Sequence, residues 1–258
     1  ALTENTQPAI LTTSIATLRV LEAAGLPRPA AAAGHSLGEY SAHVAAGTLE
    51  FPDAVRTVRS RGRFMQEAVP VGVGTMAAVL GLDADVVDDV CREAAAGQVV
   101  SAANRNSPGQ IVIAGHVDAV ERACAIAAAR GARKAVTLPV SAPFHCALMV
   151  PAADRLRTVL ESLEFQDPAY PVYANADGHP VGSGAVARER LIEQVASPVR
   201  WIEVVEAMLA DGIETFLEIG PGKVLAGLVR RIDRNATVLS VSDPEGVGLA
   251  LERFKEAS

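Results

Sequence analysis

One short string constrains the fold of this chain more than any other feature. Gly34-His35-Ser36-Leu37-Gly38 follows an apolar segment, Ala30–Ala33, and precedes a helix-like stretch, Tyr40–Ala46. Its G-x-S-x-G spacing is that of a nucleophile elbow, in which glycines allow a sharp strand-to-helix turn that lifts the serine hydroxyl clear of the backbone. The string therefore makes Ser36 a candidate nucleophile. The alternative is a glycine-rich turn that only joins two elements.

The order of apolar segments predicts an α/β protein with an inserted lobe. Strand-like and helix-like segments alternate in residues 1–71 and again in residues 139–258, which predicts a hydrolase-like large domain with a mostly parallel sheet. Between residues 72 and 138 the order becomes strand, helix, strand, strand, helix, strand, which is typical of a ferredoxin-like subdomain. A turn at Asn106–Gly109 is predicted to join its two middle strands.

Composition excludes several classes of protein. Half of the 258 residues are apolar and the net charge is −7, so we expect one substantial core and no broad binding to nucleic acid or anionic membranes. Cys91, Cys124 and Cys146 have no C-x-x-C spacing, which indicates neither a disulfide framework nor a zinc site and favours a reducing cytoplasm. No apolar run is long enough for a membrane span.

Arg61 is the candidate anion-binding residue. In the helix predicted for Pro52–Ala68 it shares a face with Val58 and Phe64, whereas the neighbouring arginines form an outer stripe. A guanidinium on an apolar face is strongly destabilising unless an anion meets it. The alternative to a bound anion is a structural ion pair with one of the 30 acidic residues of the chain.

A general base for Ser36 would come from one of five histidines. His145 follows the apolar segment Val136–Val140 in a proline-containing loop, which suits a side chain directed into a cleft, although a loop histidine can also be a solvated bystander. His35 adjoins the serine. Helix-face or turn positions are expected for His43, His116 and His179.

The longer string from Gly34 to Tyr40 resembles the acyltransferase family that includes bacterial malonyl-coenzyme A:acyl carrier protein transacylases and the acyltransferase domains of polyketide synthases. Further strings match this family in the same order, so the resemblance spans nearly the whole chain. They are Arg61–Ala68, Asn106–Gln110, Pro143–His145 and Glu218–Gly222.

The resemblance implies a ping-pong acyl transfer. Ser36 would take a malonyl group from its coenzyme A thioester and pass it to the phosphopantetheine thiol of acyl carrier protein, without a cofactor or metal. His145 is implied as the base, oriented by the backbone carbonyl of Gln194 and not by a carboxylate. Leu37 is implied as a donor to the oxyanion. The alternative for Gln194 is an ordinary exposed helix glutamine.

Four residues are implied to contact the substrate. Arg61 would hold the malonyl carboxylate in a bidentate geometry that lysine cannot provide. Phe144 accompanies malonyl choice, because its ring leaves no room for the methyl group of methylmalonyl. His35 would frame the acyl pocket, and Asn106 would either face the cleft between the lobes or simply cap its turn.

Two other functions stay open. A serine hydrolase or thioesterase would use the same elbow with an Asp or Glu between Ser36 and His145 in chain order. A non-catalytic relative would keep the fold and bind carrier protein only. Cys146 stands next to His145, but neighbours in sequence rarely have the geometry of a Cys–His pair. We expect a monomer in each case.

The start of the sequence carries a further expectation. The resembled family begins with an apolar strand and a Phe-Pro-Gly-Gln-Gly loop that supplies a second oxyanion amide, and the present sequence starts beyond both. We therefore expect it to be a fragment or an incomplete record of a longer chain, with residues 1–258 alone unstable, aggregation-prone or nearly inactive.

Overall fold

The computed structural model describes residues 3–140 and 142–255, so residues 1 and 2 of the predicted range 1–71, and residues 141 and 256–258 of the predicted range 139–258, lie outside the described residues. The protein is of mixed α/β type. Its helices are α1 Thr3–Ala23, α2 Gly38–Ala45, α3 Phe51–Glu67, α4 Ala84–Ala94, α5 Val117–Ala129, α6 Val150–Glu161, α7 Gly184–Gln194, α8 Trp201–Ala210, α9 Val224–Ile232 and α10 Pro244–Lys255. Its strands are β1 Ala32–Ala33, β2 Gly74–Leu80, β3 Val100–Ser107, β4 Gln110–His116, β5 Lys134–Thr137, β6 Val172–Tyr173, β7 Pro180–Val181, β8 Thr215–Ile219 and β9 Thr237–Val241.

Parallel strands place the serine-containing string. β1 pairs in parallel with β6, β7 is antiparallel to β6, and β8 pairs in parallel with β9. In the described part of the chain these strands form two separate sheets, β1-β6-β7 and β8-β9, whereas the sequence predicts one largely parallel sheet. Because the carboxyl ends of β1 and β6 meet at one edge, the residues that follow these two strands lie side by side.

The antiparallel sheet has the order β3-β4-β2-β5. The strand and helix order predicted for residues 72–138 is confirmed, with α4 and α5 packed on the sheet through an apolar cluster that includes Val87 and Val120. The predicted turn at Asn106–Gly109 is wrong in its extent. β3 continues to Ser107, which places Asn106 within a strand.

The antiparallel sheet is fixed to the rest of the chain through β3. Arg105 N–H donates to Val199 O at 2.9 Å, and Val199 N–H donates to Ala103 O at 2.8 Å. The Arg105 guanidinium forms ion pairs with Asp88 at 2.7 Å and with Glu203 of α8 at 2.9 Å. Backbone and side-chain contacts therefore join β3 to the segment that leads into α8.

Helix α6 was not predicted from the sequence. Its apolar face consists of Leu156 and Leu160 together with small alanines, which weakens the periodic signal of an amphipathic helix. Leu156 is fully buried in the main apolar cluster, which also contains residues of α1, α3 and α7. The helix therefore completes the core behind the serine-containing turn. None of the described helices combines the length and hydrophobicity needed to cross a membrane.

Replacing Leu156 with alanine should lower the free energy of unfolding by about 2–5 kcal/mol, because it removes buried methyl groups and leaves a cavity. Val150 lies on the same helix with 47% of its surface exposed and provides the matched control. Val150→Ala should change stability by no more than about 0.5 kcal/mol. Urea unfolding of both variants measures the difference, and equal losses would contradict the assigned core.

Candidate active site

The turn that carries Ser36 is sterically strained. Ser36 has φ of 52°, in the left-handed region that non-glycine residues seldom adopt. A Cβ atom on Gly34 would lie 2.0 Å from the backbone of Gly38, so only glycine fits at position 34. A Cβ on Gly38 would meet nothing within 4 Å. The tightness of the elbow therefore depends on Gly34.

Two buried amide side chains hold this turn. Asn175 follows β6, accepts a hydrogen bond from Ser36 N–H at 2.6 Å and donates one to Gly34 O at 2.8 Å. Gln194, the last residue of α7, donates from Nε2 to Ser36 O at 2.9 Å. The backbone groups on both sides of Ser36 are thus bound, which stabilises an otherwise unfavourable conformation.

Ser36 and His145 are hydrogen-bonded. The serine Oγ lies 2.7 Å from His145 Nε2, and His145 Nδ1 lies 3.0 Å from the backbone oxygen of Gln194. Because a carbonyl oxygen only accepts, Nδ1 carries the proton and Nε2 is free to accept from the serine. Burial, aided by the charge of Arg61, lowers the pKa of His145 to about 3. The imidazole is therefore a neutral base over most of the pH range.

Arg61 projects from α3 into the same site. Its side chain is 1% exposed, which confirms the predicted buried face. It donates to Ser36 Oγ at 3.0 Å, to Gln194 Oε1 at 2.9 Å and to Gln7 Oε1 at 2.7 Å. In the described residues it forms no ion pair within 4.0 Å, so the alternative of a direct structural ion pair finds no support. A buried cation with neutral partners therefore lies beside the serine.

A buried carboxylate lies behind these groups. Glu39 Oε2 accepts from Gln194 Nε2 at 2.7 Å and from Asn175 N–H at 2.9 Å. Burial raises the pKa of Glu39 to about 7, and the two hydrogen bonds and the charge of Arg61 oppose that rise. Glu39 thereby links the side chain of Gln194 to the backbone of Asn175.

The remaining predicted site residues surround this centre. His35 Nε2 lies 2.8 Å from Asn106 Oδ1, and its ring lies 5.7 Å from that of Trp201. Asn106 thus contacts the elbow from β3 and does not cap a turn. Phe144 is half-buried beside His145 and packs against the main core and the antiparallel sheet.

Three backbone and side-chain details distinguish the alternatives. Leu37 forms the N-cap of α2, and its N–H has no acceptor within residues 3–140 and 142–255. The side chain of Gln194 is fully buried, so the alternative of an exposed helix glutamine is wrong. The thiol of Cys146 donates to Pro143 O, and burial raises its pKa to about 11. It therefore stays protonated and forms no ion pair with histidine.

Sequence reasoning missed three residues of this site: Gln7, Glu39 and Asn175. Asn175 directly follows a predicted strand, and that position at the carboxyl end of a parallel strand was a usable signal. Glu39 stood inside the longer elbow string, where helix periodicity gave no reason to separate it from an exposed acid. Gln7 carried no signal, because its contact with Arg61 spans 54 positions.

The site is thus built around a strained serine, a neutral histidine and a buried arginine. The model of the family described as acyl transferase domain matches residues 1–249. The chain is 52% identical over 250 residues to malonyl CoA-acyl carrier protein transacylase of Escherichia coli (strain K12), covering 97% of this chain and 81% of that protein. The chain belongs to the acyl transferase domain family, as its sequence strings indicated.

Solved structures agree with this assignment. Malonyl CoA-acyl carrier protein transacylase from Coxiella burnetii is 46% identical, with a TM-score of 0.96 over 98% of this chain and 80% of that chain. A malonyl-transacylase solved in complex with its type II polyketide synthase acyl-carrier protein is 49% identical, with a TM-score of 0.96 over 98% of this chain and 82% of that chain.

Gly34→Ala should lower the free energy of unfolding by about 1–3 kcal/mol or more, because the added methyl group would overlap backbone atoms. The substitution should also slow the reaction of Ser36 with a serine-directed fluorophosphonate, because the elbow must open to accommodate the added methyl group. Gly38→Ala is the matched control, and its stability should stay within about 0.5 kcal/mol of the parent. Similar behaviour of the two variants would show that the turn does not depend on Gly34.

Proposed function

We propose that this protein transfers a malonyl group from malonyl-CoA to the phosphopantetheine thiol of acyl carrier protein through an ester on Ser36, for fatty acid or polyketide synthesis. One observation carries the proposal: the buried guanidinium of Arg61 lies 3.0 Å from the serine oxygen and has only neutral hydrogen-bond partners among the described residues. An acyl group with a free carboxylate would give this guanidinium a direct anionic partner when the carbonyl carbon of the acyl group lies at Ser36 Oγ. The identity shared with malonyl transacylases supports the same choice.

The reaction proceeds in two exchanges. His145 Nε2 takes the proton of Ser36 as Oγ bonds to the malonyl carbonyl carbon, and the proton then passes to the departing coenzyme A sulfur as the carbon–sulfur bond breaks. In the second exchange the pantetheine thiol gives its proton to His145 and its sulfur attacks the ester. The ester bond between the carbonyl carbon and Ser36 Oγ then breaks, and Oγ takes the proton back from His145. No electrons are transferred and thioester exchange is nearly energy-neutral, so this chemistry requires neither metal nor cofactor.

Two groups assist this chemistry without exchanging protons. The free Leu37 N–H points to an oxyanion donor role, because it sits at the N-terminus of α2 directly after the nucleophile. The carbonyl of Gln194 keeps the His145 proton on Nδ1 and so preserves the base at Nε2.

The acyl pocket is shaped by His35, Asn106 and Phe144. The Phe144 ring disfavours a branched methylmalonyl group.

The competing functions have less support. A hydrolase triad needs a carboxylate on His145, and in the described residues Nδ1 is bound by a backbone carbonyl, with no carboxylate oxygen within 4.0 Å of either ring nitrogen. A non-catalytic relative that only binds carrier protein has no need for the 2.7 Å contact between Ser36 and His145. Acyl transfer accounts for both observations.

The organisation around the site is part of the proposal. Residues 1–71 and 139–258 form the hydrolase-like domain, and residues 72–138 form an inserted ferredoxin-like subdomain, which the order β3-β4-β2-β5 supports. The proposed partners are acyl carrier protein and the coenzyme A thioester, with no nucleic acid or membrane. We also propose a cytoplasmic monomer, and the free state of all three cysteines supports a reducing compartment.

Ser36→Ala should abolish covalent labelling by radiolabelled malonyl-CoA, because the ester has no other oxygen to form on. His145→Ala should slow labelling by about 10²- to 10⁴-fold, the usual contribution of a positioned base. Rapid-quench counting of protein-bound label measures both rates. Persistent label on the Ser36→Ala protein would overturn the assignment of the nucleophile.

Arg61→Ala should impair malonyl transfer selectively and leave acetyl transfer unchanged or faster, because only malonyl has a carboxylate that loses its partner. Loss of a charge-assisted contact corresponds to about 1.5–3 kcal/mol, or roughly a 10- to 150-fold fall in kcat/KM for malonyl-CoA. Arg63→Ala, an exposed change on the same helix, is the control. Equal losses with both donors would make Arg61 a structural residue.

A further inference from the structure

One amide side chain connects a buried cation to a buried anion. Gln194 Oε1 accepts from Arg61 at 2.9 Å, and Gln194 Nε2 donates to Glu39 Oε2 at 2.7 Å. Arg61 and Glu39 are both at most 1% exposed. Because their charges are joined only through a neutral amide, each stabilises the other less than it would in a direct ion pair.

The second oxygen of Glu39 is left without a partner. Oε1 is buried and has no hydrogen bond within the described residues, and the imidazole of His43 lies 4.0 Å away. A buried bare oxygen is costly on an ionised carboxylate, whereas a proton placed there removes the charge. Oε2 can meanwhile keep both of its hydrogen bonds. The geometry therefore accommodates the neutral and the ionised forms of Glu39.

Five charged or titratable groups lie around Glu39 or are connected to it through Gln194, and two of them, Tyr40 and His43, are on its own helix α2. Arg61 on α3 favours the ionised carboxylate, and Asp177 after β6 favours the protonated one. Burial lowers the pKa of His43 to about 4 and that of His145 to about 3, and it raises the pKa of Tyr40. These three groups are therefore neutral near pH 7, where the pKa of Glu39 itself lies.

We propose that Glu39 is the internal counter-charge of Arg61 and that it takes up a proton from solvent when the carboxylate of a malonyl donor binds. The inference rests on the proposed function, since only a donor with a carboxylate brings a second anion to the site. The proton bonds to Glu39 Oε1, and no other bond is made or broken. Glu39 is then a specificity-determining residue that links malonyl binding to pH.

The sign of the pH dependence follows from this linkage. Below the pKa of the free site Glu39 is already protonated, and a malonyl donor binds with no proton uptake. Between that pKa and the higher pKa of the bound site, binding takes up part of a proton, so affinity falls as the pH rises until Glu39 is ionised in both states. If the bound donor raises the pKa of Glu39 by about one unit, affinity falls by about tenfold across the transition. An acetyl donor brings no carboxylate and shows no such loss.

Calorimetry with unreactive donors tests the inference. The ligands are malonyl- and acetyl-carba(dethia)-CoA, in which a methylene group replaces the thioester sulfur. Each ligand is titrated into the protein in phosphate and in Tris buffer, between about pH 6 and pH 8.5. The buffer dependence of the binding enthalpy gives the number of protons taken up. We expect greater uptake with the malonyl analogue, at most about half a proton per site for a pKa rise of about one unit, and a fall in its affinity of about 3- to 10-fold relative to the acetyl analogue.

Two variants assign the proton. Glu39→Gln should remove the difference in uptake between the analogues, whereas Asp177→Asn, which neutralises the nearby acid, should retain it. Equal uptake with both analogues, or an undiminished difference in Glu39→Gln, overturns the inference. If Glu39→Gln does not fold, the wild-type comparison decides. A malonyl analogue that binds no more tightly than the acetyl analogue, with no effect of Arg61→Ala, instead overturns the proposed function and the inference with it.

Discussion

The desolvated guanidinium of Arg61 is the interaction on which the rest of the site depends. It contacts the Ser36 oxygen directly, adds its charge to the burial that lowers the pKa of His145 and receives support from Gln7 and Gln194. A buried charge costs less when hydrogen-bond acceptors surround it, and here those acceptors are neutral amides. A carboxylate in direct contact would stabilise the protein more, but it would also occupy the position that an anionic acyl group needs.

Neutral amides also control the backbone around the nucleophile. Asn175 binds Ser36 N–H and Gly34 O, and Gln194 binds Ser36 O, so the left-handed turn is held from β6 and from α7 at once. This arrangement uses the Ser36 N–H, which therefore cannot serve an oxyanion, and leaves the next amide, that of Leu37, without an acceptor in the described residues. Asn175 therefore both supports the strained turn and occupies the amide of Ser36 itself.

Much of this arrangement could be predicted from the sequence, and the omissions have physical reasons. The elbow string, the buried face of α3 and the strand and helix order of residues 72–138 depend on local periodicity, which a sequence displays. The roles of Gln7 and Asn175 depend on contacts across 54 and 139 positions, which periodicity does not report. Asn106 was misplaced because Asn-Ser-Pro-Gly is turn-like in composition, and pairing with β4 extends β3 through the first two of these residues.

The antiparallel sheet contributes to the geometry of the site although the nucleophile and base lie outside it. Phe144 and Cys146, on either side of His145, pack on the sheet residues Met76 and Val112, and Asn106 binds the histidine that precedes Ser36. Movement of the sheet would therefore act on both partners of the 2.7 Å contact between Ser36 and His145. The Arg105 ion pairs and the backbone bonds to Val199 restrain that movement only one to three positions from Asn106. Precise alignment of serine and histidine thus depends on distant parts of the molecule, because the restraints come from the antiparallel sheet, from the β1-β6-β7 sheet and from helices α3 and α7.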